Sequence, residues 1–159
     1  MRKLCTICFI AVLCSGMVFA KGKVPDKGSE EKDKATARRV FDDLWTGGRY
    51  ELIDSMYEKN CVVHYATGTL SLEQAVANGK EWRRAFPDLV VSTNRVTGNG
   101  NMVVVDWTAH GTNKVQAHGL SGKGKRGTAR GTSKFRFENG KIAEVWVTWS
   151  EEELRKQVK

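Results

Sequence analysis

The chain has 159 residues, a length that suggests one domain, and 26 Lys+Arg against 18 Asp+Glu, a net charge of +8. Three of its four cysteines lie within the first twenty residues. If that segment is removed, only Cys61 remains, so an internally disulfide-stapled scaffold is excluded.

Met1–Ala20 reads as a signal peptide. Arg2 and Lys3 precede an apolar run, and Val18-Phe19-Ala20 ends it with a small residue at the expected cut. Thr6, Ser15 and Gly16 interrupt the run and argue against a permanent membrane anchor. Leu13 stands before Cys14 where a lipoprotein site wants a small residue. The expectation is a periplasmic or secreted protein, not held at a membrane after cleavage, with the net charge lowered by two. Residues 21–34 are charged, with Val24 the one large apolar side chain, and read as a disordered leader. The domain then spans 35–159.

Ala37, Val40, Phe41, Leu44 and Trp45 fall on one helical face, and Gly47-Gly48 ends that helix. Leu52, Ile53, Met56 and Tyr57 mark a short second helix, and residues 61–66 a strand. Ser71 and Gln74 form a capping box opening a helix through Trp82 and Phe86, which Pro87 stops. The period then changes to two. Strands are predicted over 89–97 and 102–110, joined by GNGN, with a short one over 114–118. Asn139-Gly140 joins two more, 128–138 and 142–149, before a terminal helical turn over 151–158. Helices segregated from a run of antiparallel strands define an α+β class, with one curved sheet wrapped on N-terminal helices into a cone with a cavity.

The loop Gly119–Thr128, GLSGKGKRGT, contains both GxGxxG and GxxxxGK. A phosphate-binding reading needs a helix after the glycines, yet a strand follows, and Arg126 stands where the second pattern needs Ser or Thr. The glycines are therefore read as supplying loop conformations between strands. Lys114, Lys123, Lys125, Arg126 and Arg130 make the loop basic, but no aromatic residue interleaves with them, so it reads as a solvated loop and not a nucleic-acid surface. The three histidines, His64, His110 and His118, match no metal-ligand spacing, and no cofactor signature is present.

AFPDL (85–89), V-x-W-T-x-x-G-T (105–112), GLSGKGKR (119–126), FRFENGKIAE (135–144) with a Trp two residues on, and a final L-x-x-Q occur in a defined order. Over roughly 36–158 the chain resembles the SnoaL-like polyketide cyclases of the NTF2-like superfamily. The resemblance implies the same cone, an apolar pocket for a small, often cyclic ligand, and a homodimer through the sheet. It also implies an acid/base Asp on the last strand or just after it. Val147 and Ser150, followed by Glu151, stand at those positions. A helping His falls near Ser133 and a Gln on Gly131.

Strand alternation places Ala143, Val145, Val147 and Trp149 on one face, expected to line the cone with Ser133, Phe135, Phe137 and Trp107. Trp82 and Phe86 join them from the helix as ligand-binding candidates. His64 is expected at the pocket, where it would act as a base near neutral pH, with Tyr57 or Asp106 in support. A hydrogen-bonded structural His is the other reading of His64. Asp106, Thr108 and His110 fall on the outer face. Three functions stay open. The first is an exported binder of a small apolar, cyclic molecule. The second is a cyclase- or isomerase-like enzyme using a pocket histidine. The third is a protein-interaction domain.

Overall fold

A computed structural model describes residues 27–159, so the segment 1–20 read as a signal peptide and residues 21–26 lie outside the described residues. Helix α1 (Lys27–Arg39) starts well inside the segment read as a disordered leader. The charged sequence conceals an anchored face. Asp33 and Ala37 are buried, and Lys34 pairs with Glu30 at 2.7 Å. Gly98 allows the helix to lie this close, since a Cβ there would sit 2.7 Å from side-chain carbons of Glu30 and Lys34. The helix continues in π-helical form through Val40–Thr46, burying Phe41 and Leu44. Arg83 closes its end by donating to the Thr46 carbonyl at 2.8 Å. The predicted short second helix is a 3-10 turn, Tyr50–Leu52, running into α2 (Ile53–Met56).

Strand β1 (Tyr57–Tyr65) hairpins into β2 (Gly68–Ser71), a short strand with too little apolar pattern to be read from sequence. Helix α3 (Leu72–Ala85) opens with both hydrogen bonds of the Ser71/Gln74 capping box. Strands β3 (Val90–Asn99), β4 (Met102–Asn113), β5 (Lys125–Glu138) and β6 (Lys141–Trp149) follow, then α4 (Glu151–Val158). The sheet order is β2-β1-β6-β5-β4-β3. It is mixed and not purely antiparallel, because β1 runs parallel to β6.

Residues 114–118 are not a strand. Asn113 is fully buried and organises this connection instead. Its amide donates to the carbonyls of Ala85 and Val115 at 3.1 and 3.2 Å, and its oxygen accepts from the Gly122 N–H at 2.8 Å. That wraps the glycine loop around one side chain, with Gly119, Gly122 and Gly124 at positive φ. Gly127 differs from the loop role expected of it. It lies in β5, and a Cβ there would come within 2.5 Å of Leu154 and 2.9 Å of Val158, so its bareness lets α4 dock.

Gly131 is the tightest such position at the sheet centre. A Cβ there would strike the Trp107 indole and lie 2.7 Å from the Thr148 carbonyl oxygen. Gly131→Ala is expected to lower unfolding stability by about 1–3 kcal/mol, read as a reduced midpoint in urea. An unchanged midpoint would mean the indole moves freely.

Candidate functional site

The concave side of the sheet holds a cavity of about 610 Å³. Its apolar walls come from α3 (Trp82, followed by Phe86), β4 (Trp107, Ala109) and β6 (Val147, Trp149). The indoles meet at angles suited to aromatic packing. Trp82 stands edge-on to Trp149 at 5.4 Å, and Trp107 lies 6.4 Å from Trp149. Ser133 also borders the cavity, and its hydroxyl accepts a hydrogen bond from the Trp107 indole N–H at 3.0 Å. Six of the seven predicted ligand-binding residues therefore border one space. Phe135 does not. It is buried in the main core beside Phe41, and with Tyr57 it borders a smaller cavity of about 70 Å³.

Polar side chains also border the larger cavity, among them Tyr65, Gln74, Asn78, His110, His118 and Glu151. His118 lies against Trp82 with ring centroids 3.8 Å apart, and its Nε2 is 2.9 Å from the Asn78 oxygen. Burial raises the Tyr65 hydroxyl above its ordinary value, an effect that the nearby Asn78 side chain opposes. Glu151 borders the cavity from the first turn of α4 and accepts from Arg155 Nε at 2.8 Å. Tyr65 and Asn78 were not singled out from sequence, His118 was weighed only as a metal ligand, and Glu151 was noted only as following the position matched to the family's acid. One signal was available: Gln74, Asn78 and Trp82 are spaced by four, so one face of α3 carries polar residues beside a buried indole.

The three predicted catalytic residues do not assemble at this cavity. Cys61 and Val63 are the inward residues of β1, so His64 points to the opposite face of the sheet. There it stacks on Trp146, donates from Nε2 to Glu144 at 2.8 Å, and has Thr69 Oγ1 2.9 Å from Nδ1. Asp106 is on the outer face as its strand parity requires. Thr132 donates to it at 2.8 Å and Arg95 at 3.0 Å, which lowers its carboxyl below the ordinary value. Tyr57 is buried in the main core, and that burial pushes its hydroxyl far above the ordinary range. Burial likewise raises the Cys61 thiol to about 12, so it is no thiolate nucleophile at neutral pH. Among the described residues no group of three His, Cys, Asp or Glu side chains could hold a metal ion, and no helix is long and apolar enough to cross a membrane.

A curved α+β cone enclosing an aromatic cavity is the architecture of NTF2-like ligand-pocket proteins. A profile of the SnoaL-like polyketide cyclases matches residues 35–158, and the chain belongs to that family. No curated protein matches it by sequence. Solved structures share the fold. One is a protein of Jannaschia sp. CCS1 described as a SnoaL-like polyketide cyclase, at 20% identity and a TM-score of 0.77, covering 84% of this chain and 95% of its own. Another is AclR of Streptomyces galilaeus, described as a hydroxylase, at 19% identity and 0.74, covering 81% and 96%. A third, from Acidithiobacillus ferrooxidans, is described as a polyketide cyclase, at 22% identity and 0.71, covering 80% and 94%.

The outer cluster gives a pH test. Hydrogen bonds from His64, then Arg136, hold the Glu144 carboxyl below its ordinary value of 4.5. The stability this contributes is complete above the ordinary value and is lost as pH falls through the depressed one. Urea unfolding across the acid range should therefore show a shallower decline in Glu144→Gln than in the wild type. Parallel declines would show that the cluster carries no folding linkage.

Proposed function

We propose that this protein binds a small, largely apolar, ring-bearing molecule in its cone. The carrying observation is a space of about 610 Å³ lined by four indoles, those of Trp45, Trp82, Trp107 and Trp149, together with polar side chains that include Asn78, His118 and Glu151. That volume lies within the range of small-molecule sites, roughly 300–1,000 Å³. Indole walls favour flat rings, and a few polar side chains among them can orient a bound ring. Family membership supports a ligand-holding cone. The Met1–Ala20 pattern supports the further reading that the protein works after export, in a periplasm or outside the cell.

A second reading is favoured by one observation. Two histidines border the cavity: His110 on β4, which alternation had placed on the outer face, and His118, which lies against Trp82 and gives the site a group able to move a proton. At the position matched to the family's acid stands Val147, which lines the cavity and carries no proton. Any cyclase- or isomerase-like chemistry would therefore run through His118, Tyr65 or Glu151 and not through the last strand. Loss of turnover in His118→Ala with ligand binding retained would establish the enzyme reading for any substrate found.

The binding reading is tested by titrating the protein with two- and three-ring aromatic compounds and following indole fluorescence. Val147→Phe places a ring in the cavity and is expected to weaken binding about tenfold or more, ~1.4 kcal/mol. His64→Ala, on the other face, is expected to leave it unchanged. Equal binding by the wild type and Val147→Phe would put the ligand elsewhere.

A further inference from the structure

The smaller cavity, of about 70 Å³, shares a wall with the larger one. Phe41, Trp45, Tyr65, Ser133 and Val147 border both. Along β6, Val145 borders only the small cavity, Val147 borders both, and Trp149 borders only the large one. Along β5, Phe135 borders only the small cavity and Ser133 borders both. The two spaces therefore follow one another along the same inward rows, about 7 Å apart, the length of two strand residues. Most of the residues that belong to the small cavity alone are aliphatic, among them Leu44, Ile53, Leu72 and Val76. At roughly 30 Å³ for each water-sized group, it has room for two or three carbon atoms.

Gly79 also borders the small cavity. It is buried in the middle of α3, where glycine weakens a helix relative to alanine. A Cβ at this position would meet the Trp45 ring at 3.5 Å and the Tyr50 hydroxyl at 3.7 Å, both ordinary contact distances. Gly98, Gly127 and Gly131 are different, because a Cβ at each of them would collide. Neither packing nor helical backbone asks for glycine at 79, and what the missing methyl leaves is space. Building on the cavity reading, we infer that the small cavity is a side pocket for a short alkyl arm of the bound ring, entered beside Val147, and that Gly79 keeps it open. The ligand class narrows to an aromatic ring system bearing an apolar substituent of two or three carbons.

Equilibrium dialysis of the full chain against naphthalene and 2-ethylnaphthalene tests the pocket. Burying two further carbons is expected to tighten binding to the wild type about tenfold. Ala75 borders the small cavity and not the large one. Gly79→Ala and Ala75→Leu should each cut the ethyl advantage to about threefold or less and leave naphthalene affinity unchanged. Gly79→Ala should at the same time raise the urea midpoint, which separates a filled pocket from a damaged fold. An ethyl advantage kept in both variants overturns the inference. A second measurement uses xenon, which enters dry apolar cavities. Under xenon pressure the methyl NMR signals of Val76 and Val145 should shift in the wild type, and shift less in Gly79→Ala. Unmoved methyls in the wild type overturn the inference. If neither naphthalene binds, it is the reading of the larger cavity that fails, and the alkyl arm falls with it.

Discussion

Side chains on a strand alternate between two faces, and most of this structure depends on how that alternation falls on β4, β5 and β6. Val103, Val105 and Trp107 face inward from β4, Ser133 and Phe135 from β5, and Val145, Val147 and Trp149 from β6. The register pairs Ser133 with both Val105 and Val147, so the inward rows lie side by side across the sheet. A slip of one residue in any of these strands would turn its inward row to solvent. The same rule sends His64, Glu144 and Trp146 outward together. Cavity and outer ion cluster are thus two consequences of one register.

The second organising element is α4. Leu154 and Val158 reach β5 across the bare Gly127, and Gln157 bonds both the N–H and the carbonyl of Thr128 at 2.9 Å. These contacts build a second core with Trp82, Phe86, Ala117 and Leu120, separate from the larger core under the N-terminal helix. The cavity draws walls from both, with Phe41 and Trp107 from one and Trp82 and Leu154 from the other. Aromatic and aliphatic side chains supply much of the wall, and Asn78, His118 and Arg155 meet where α3, α4 and the 114–124 connection approach one another.

Strong local signals were legible in the sequence. The capping box at Ser71, the alternation after Pro87 and the Asn139-Gly140 turn each specify their element by short-range physics, and the indole walls followed from parity. What was not legible depended on partners distant in sequence. Adjacent Val62 and Val63 gave β1 an apolar residue on each face, so local pattern could not say which face His64 shares; pairing with β6 decides it. Ala143 was expected inward, but an irregularity between Arg136 and Phe137 places fully buried Ile142 opposite Phe137 instead. His118 sits in a connection with no periodicity, and its place at the cavity comes from Asn78 and Arg155, about 40 residues away on either side. The helical character of 27–34 was hidden because its anchoring residues are small or charged.

The parallel pairing of β1 with β6 also bears on when this chain can fold. Val63 pairs with Val145, from which it is separated in the chain by β2, α3 and the β3–β4–β5 meander, so the pairing waits until those residues have been made. Closing so long a separation costs loop entropy before any contact rewards it, and such topologies fold slowly. Until residue 149 is available, β1 has only the short β2 to pair with, and its other edge is open. An unpaired strand edge is also an aggregation risk. The cone is therefore completed late in synthesis, by its last strand and last helix.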